Sequence, residues 1–286
     1  SGVTIPASAV YNQAGIPMIS GSATNPKLTE QGFKNVFRTV GRDDQQGPAI
    51  AQYLANMKVK KVAIADDATA YGEGYLKAVE GFAATKGLRI TTSERYNQTD
   101  QSVTAQILRI LSGNPEAVYI FSAGTPGALP QIELAKRGYK GLVYQTQGVA
   151  NADFLRVGGK DLDGAYMTVA PVLVAEQLPE GNLSRPSAID YVRRYESRHG
   201  AGSRSLFGAS AWSALMFLDA TVPVALKQAR PGTAEFRAAL RDALEAMRDV
   251  VTPEGVFNMS DKDHNGVDSR CQVMVRIEGG QWKLVH

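Results

Sequence analysis

Through the middle of the chain, short unbroken apolar runs alternate with stretches whose apolar residues recur every three or four positions. The runs are "KKVAIADD" (60–67), "LRITTSERY" (88–96), "EAVYIFSAG" (116–124), "GLVYQTQG" (141–148) and "GAYMTVAP" (164–171), and they predict strands. Between them the three-to-four spacing predicts a helix from about Tyr71 to Lys86. A second carries Val103, Ile107, Ile110 and Leu111 on one face, a third runs to Lys136, and a short helical segment follows. Ala49 to Met57, ahead of this block, is helical on the same grounds, with Ile50, Tyr53, Leu54 and Met57 forming its stripe. Strands alternating with helices imply βαβ units and a parallel sheet. After Pro171 the pattern turns helical, over about Arg185–His199, Leu206–Leu226 and Ala234–Met247. The tail returns to strands with "GVFNM" and "CQVMVRIEGGQWKLV", whose Gly-Gly pair reads as a hairpin turn.

The start follows a different pattern. "SGVTIPASAVYNQAG" predicts a helix capped by Ser1 or Thr4, with Pro6 in its first turn. No strand feeds that helix, so the first lobe is expected to be incomplete. The run "GIPMIS" predicts a strand that breaks into Gly21, Ser22, Ala23, Thr24, Asn25 and Pro26, residues too small and hydroxylated to fill a core. Composition also shifts at "VGRDDQQGP", at "VAPVLVAEQLPEGNLSRPS" and near "TPEG" (252–255). These are the expected crossings between two lobes.

Composition narrows the function. The chain has 286 residues, 44% apolar and 21% charged, which is enough to bury a large core. A net charge of +3, with no basic stripe, gives nucleic acid nothing to bind. A single cysteine, Cys271, excludes internal disulfides and paired-cysteine metal sites. It reads as a small core residue. "LFGASAWSALMFLDATVPVAL" is long enough to cross a membrane, but Asp219 and Pro223 interrupt it and a bundled core helix is the expectation.

Catalytic and cofactor signatures are weak. "YGEGYLK" has Lys77 where a dinucleotide fingerprint needs its third glycine, and "DKDHNGVDSRCQ" has Gln272 where a calcium loop needs glutamate. The histidines lie far apart, and no G-x-S-x-G elbow is present. Neither catalytic residues, nor a metal, nor a cofactor is expected. What remains is the pair of hydroxyl clusters, Ser1 with Thr4 and Ser22 to Thr24. In open α/β sheets ligands sit beyond the carboxyl ends of strands. Free backbone N–H groups with Ser/Thr hydroxyls suit a carboxylate or phosphate there.

The stretches "PASAVYNQAGIPMISGSATNPKLTEQGFKNVFRTVGRDDQQGP", "DDATAYGEGYL" and "GLVYQTQGVAN" resemble the periplasmic amino-acid-binding proteins of the leucine/isoleucine/valine type, the solute receptors of ABC importers. The likeness is dense in the first fifty residues and thinner after Pro171. It implies an α/β two-lobed flytrap of the type I periplasmic binding protein fold, each lobe a parallel sheet flanked by helices and joined by three crossovers. The lobes are expected at 1–42 plus 172–250, lacking an N-terminal segment, and at 43–171 plus 251–286. The ligand is expected in the cleft between the lobes.

Carried over position by position, the resemblance implies that Ser1 and Thr24 hold a ligand carboxylate. Ser22 and Ala23 belong to the same turn, with Ser22 at a position that offers its carbonyl to an ammonium. Tyr71 and Phe207 would be aromatic walls. Two departures bear on the ligand. The glutamate that pairs with the ammonium in the family's amino-acid binders is Gln147 here, and a pocket tyrosine is replaced by Ala123 or a small neighbour. A neutral, roomier pocket suits an aromatic or aliphatic carboxylic acid, unless Asp66 or Asp67 supplies the missing charge and the ligand is an amino acid. The implied protein is a periplasmic monomer that passes a small carboxylate to an ABC permease in the inner membrane. A ligand sensor of the same fold, and an α/β enzyme acting on a carboxylate, are the alternatives.

Overall fold

The structure, a computed structural model, describes residues 1–285. In chain order the strands are β1 (Met18–Ser20), β2 (Val36–Arg38), β3 (Lys61–Asp67), β4 (Arg89–Tyr96), β5 (Ala117–Phe121), β6 (Leu142–Gln145), β7 (Tyr166–Val169), β8 (Val250–Thr252), β9 (Gly255–Phe257), β10 (Val273–Glu278) and β11 (Gln281–Leu284). The α-helices are α1 (Thr4–Gln13), α2 (Lys27–Glu30), α3 (Asp43–Asn56), α4 (Ala70–Ala83), α5 (Thr104–Ser112), α6 (Ala128–Lys136), α7 (Ala152–Gly158), α8 (Arg185–His199), α9 (Leu206–Leu226) and α10 (Ala234–Glu245). They divide into two compact units. The first comprises Ser1–Arg42, Ala170–Ala201 and Leu206–Gln272; the second comprises Asp43–Val169, Gly202–Ser205 and the chain from Val273 onwards.

The second unit is built on a seven-stranded sheet in the order β11-β10-β7-β6-β5-β3-β4. Alternation along β3 explains why its run is unbroken. Val62 and Ile64 face one core with Tyr119, Phe121 and Tyr144, closed by Ile50, Leu54, Tyr75 and Val79 of α3 and α4. Ala63 and Ala65 face the other, with Val118 and Ile120 against Ile107, Ile110 and Leu134 of α5 and α6. A strand covered on both faces has no polar side to alternate with. The sheet was expected to be wholly parallel and is instead mixed. β10 runs antiparallel to β7, and β11 turns back on β10 through Gly279 and Gly280, at φ +57° and +71°. Two successive left-handed residues match the twist of a two-residue hairpin, and glycine adopts them without strain.

In the first unit, β1 and β2 pair in parallel and β8 and β9 form a short antiparallel hairpin. One core holds Phe37, Phe217, Leu244, Met247, Phe257, Met259, Val267 and Cys271; a smaller one holds Ala23, Leu28 and Val36. Segment 251–272 therefore belongs here and not to the second unit, where it was expected. Its apolar residues pack on α9 and α10, and only β10 and β11 join the large sheet. α9 buries one stripe, including Leu206, Ala209, Ser213, Phe217 and Thr221, and leaves Leu215 and Val224 exposed.

Two local expectations change. α1 begins after Val3, which is itself helical and makes no side-chain cap, so Thr4 lies inside the helix, and the Ser1 carbonyl accepts the Ile5 N–H at 3.0 Å. α3 begins at Asp43 and runs through Pro48 instead of starting after it. The calcium-like loop is a turn: Asp263 Oδ1 accepts the N–H groups of Asn265 (2.9 Å) and Gly266 (3.1 Å). No grouping of His, Cys, Asp or Glu suited to a metal occurs among the described residues. Cys271 is buried, and burial pushes its thiol up to about 12.

Candidate ligand-binding site

In the first unit the site grows from the carboxyl ends of two adjacent strands. β1 ends at Ser20, whose hydroxyl accepts the Ala23 N–H at 3.2 Å and folds the following turn back on the strand. β2 ends at Arg38, fully buried, whose guanidinium donates to the carbonyls of Ala23 (3.0 Å), Asn25 (3.1 Å) and Pro26 (3.4 Å) and to the Thr29 hydroxyl (2.8 Å). Ser1 reaches the same turn, its hydroxyl accepting the Asn25 N–H at 3.3 Å. Gly21 packs against α9, where an added Cβ would stand 3.3 Å from that of Ser210. Phe207, 43% exposed, lies one turn earlier on the same helix.

This arrangement leaves hydrogen-bonding capacity unused. Thr24 is 2% exposed and its hydroxyl has no partner among the described residues. Among the described residues no acceptor meets the N–H groups of Ser22 or Thr24. An unmet buried polar group costs about 1–3 kcal/mol, and a bound anion would recover it.

In the second unit the equivalent surface is formed by the carboxyl ends of β3, β5 and β6. Thr69 caps α4, accepting the N–H groups of Tyr71 (3.2 Å) and Gly72 (3.4 Å) and donating to Asp67 Oδ1. Ser122 (3.1 Å) and Gln98 (2.7 Å) donate to the other oxygen of Asp67. The loops after β5 and β6 are tied together. Thr146 Oγ1 donates to the Ser122 carbonyl at 2.8 Å, and the Gly124 N–H donates to the Gly148 carbonyl at 2.9 Å. The Tyr71 hydroxyl accepts the Gly148 N–H at 3.0 Å. Position 148 must be glycine for this contact, because a Cβ would lie 2.7 Å from that hydroxyl and 2.9 Å from the Ser122 carbonyl.

The structure thus brings Ser1, Ser22, Ala23 and Thr24 to one turn of the first unit, with Phe207 on the helix beside it. It gathers Tyr71, Ala123 and Gln147 at neighbouring strand ends of the second. Tyr71 is 7% exposed, and burial raises the pKa of its phenol. Its ring packs on Tyr75 at 5.2 Å, so much of it is core. Ala123 and Gln147 are partly exposed, and the Gln147 carboxamide makes no protein hydrogen bond among the described residues. Asp67 is committed to Thr69, Ser122 and Gln98. Asp66 points to Arg95 at 3.1 Å; burial raises its pKa and Arg95 opposes the rise. Both aspartates are buried and held by partners within the second unit. Sequence reasoning missed Arg38 and the Ser122–Thr146 tie. The signal for Arg38 was there: a cation in the apolar run "NVFRTV" needs a buried set of acceptors.

Comparison with known proteins identifies the family. A family model described as "Periplasmic binding protein" matches residues 1–281. The chain is 29% identical over 262 residues to Leu/Ile/Val-binding protein homolog 3 of Brucella melitensis, covering 91% of this chain and 67% of that protein. It is 35% identical over 172 residues to homolog 1 from the same organism, covering 60% of this chain and 46% of that one. A crystal structure of an extracellular ligand-binding receptor from Rhodopseudomonas palustris HaA2 superposes with a TM-score of 0.95 at 37% identity, over all of this chain and 80% of that one. The chain spans about two thirds of the first of these relatives and about half of the second. With a family match over nearly its whole length, the chain belongs to the periplasmic binding protein family, and like its Leu/Ile/Val-type relatives it is a binding protein and not an enzyme.

Proposed function

We propose that the protein is the extracytoplasmic, periplasmic solute receptor of an ABC importer, and that its cargo is a small carboxylate. The observation that carries this reading is the Ser22–Thr24 turn, with two backbone N–H groups and a buried Thr24 hydroxyl that have no partner among the described residues. Ser1 and Thr24 receive the carboxylate, and Tyr71, Ala123, Gln147 and Phe207 are the positions that the family resemblance assigns to the rest of the ligand. Closure on the ligand presents the receptor, acting as a monomer, to its permease.

The cargo, on this reading, is an aromatic or aliphatic acid without an α-ammonium. Gln147 is uncharged, and Asp66 and Asp67 are engaged by Arg95 and by Thr69, Ser122 and Gln98. An ammonium deprived of a charged partner forfeits about 1.5–3 kcal/mol, roughly ten- to a hundredfold in Kd. The names of the relatives support the second reading, an amino-acid cargo.

Calorimetric titration with leucine, phenylalanine, 4-methylpentanoate and 3-phenylpropanoate separates the two. The des-amino acids are expected to bind at least about tenfold more tightly than the amino acids. Gln147→Glu is expected to reverse that order, by giving an ammonium its countercharge. Tighter binding of the amino acids by the unsubstituted protein would establish the second reading. No heat from any of the four would overturn the carboxylate reading.

A further inference from the structure

The Ser22–Thr24 turn depends on one residue that lies behind it. Arg38 is fully buried at the end of β2, and its guanidinium gathers three successive-turn carbonyls and the Thr29 hydroxyl. The bond to Ala23 matters most. A trans peptide is planar, so the carbonyl of Ala23 and the N–H of Thr24 belong to one rigid unit and point in opposite directions. With the Ala23 oxygen held on Arg38 at 3.0 Å, the Thr24 N–H is aimed directly away from the guanidinium. Among the described residues that N–H has no acceptor, and the hydroxyl of the same residue has no partner either. Donation from a cation to the carbonyl also polarises the peptide, making its N–H a stronger donor.

We infer that Arg38 is the positioning residue for the ligand carboxylate, orienting and strengthening the Thr24 N–H through the peptide it shares with Ala23. Arg38 does not touch the ligand. Its fork reaches several acceptors at once, a geometry that lysine cannot reproduce. The role rests on the carboxylate reading of the site, which it deepens by assigning anion selectivity to a residue outside the contact surface.

The test is selectivity, because a purely structural role would weaken all ligands alike. Kd is measured for whichever acid of the panel above binds most tightly, and for its carboxamide. In the wild type the carboxylate is expected to bind at least about tenfold more tightly than the amide. Arg38→Met is expected to abolish most of that ratio, and Arg38→Lys to leave it intermediate. Thr29→Val keeps the cation but removes its 2.8 Å anchor; it lowers the ratio by a smaller factor and serves if Arg38→Met does not melt cooperatively. Variants that keep the full wild-type ratio overturn the role of Arg38 while leaving the receptor reading intact. A wild type that shows no preference for carboxylate over carboxamide overturns both.

Discussion

Glu254, in the turn between β8 and β9, is 3% exposed, and burial pushes its carboxyl up to about 8. One of its oxygens lies 2.7 Å from the Ser210 hydroxyl, which is also 3.0 Å from the Leu206 carbonyl; the other has no partner among the described residues. Burial favours the neutral carboxyl, and the hydrogen bond that Ser210 donates to it opposes the rise only in part. An ionised one would leave a buried charge. The consequence for stability has a definite sign. The unfolded chain releases this proton near its ordinary value of 4.5, while the folded one holds it to about 8. Between those values the unfolded state binds fewer protons, so stability falls as pH rises, by up to about 1.4 kcal/mol per pH unit from this group, and levels off outside the window. Denaturant melts at intervals from pH 4.5 to 8 should show that slope, and Glu254→Gln should flatten it. An unchanged slope in the variant would mean that another group titrates. The same residue-by-residue reading separates Gln147, whose carboxamide is unengaged, from Asp66 and Asp67, which are fully occupied.

At the scale of elements, the start of α4 shows how one residue links helix, strand and site. Thr69 caps the helix through the N–H groups of Tyr71 and Gly72, and donates to the carboxylate at the end of β3. Thr69→Ala should cost about 1 kcal/mol for the cap, and somewhat more because Asp67 loses a donor. Amide hydrogen exchange is the suitable measurement, with faster exchange expected at Tyr71 and Gly72 and little change in α5. Protection unaltered at both positions would show that the cap contributes nothing. The β10–β11 hairpin illustrates the opposite case. Its turn was legible as Gly-Gly, but pairing with β7 was not, because the antiparallel partner of a strand lies over a hundred residues away.

Over the whole molecule, the allocation of 251–272 has the largest consequence. Phe257 is fully buried with its ring 4.8 Å from that of Phe217, so its loss falls on the first unit. Phe257→Ala should destabilise that unit by about 3–5 kcal/mol. The two tryptophans lie one in each unit, Trp212 on α9 and Trp282 on β11, so single-tryptophan versions report on them separately. The Trp212 transition is expected to move to lower denaturant. A shift confined to Trp282 would contradict the packing of this segment on α9.

How far the sequence reached follows from the range of the forces involved. Periodicity is local, and it located the strands from "KKVAIADD" to "GAYMTVAP" and the helices α8, α9 and α10 to within a few residues. Burial on both faces of β3 is the reason its run contains no polar alternation. The small hydroxyl turn after β1 was legible as a turn, but the burial of Ala23 with Leu28 and Val36 was not. Partners distant along the chain were not. The three carbonyls on Arg38, the Tyr71 hydroxyl on the Gly148 N–H, and the engagement of Asp66 and Asp67 arise only when strand ends far apart in sequence are brought side by side. Sequence alone determined which elements form and that a polar turn stands at a strand end. Tertiary structure decided which of its groups stay unpaired, because hydrogen bonds are satisfied by whatever lies within about 3 Å in space, and that neighbour is not encoded by position along the chain.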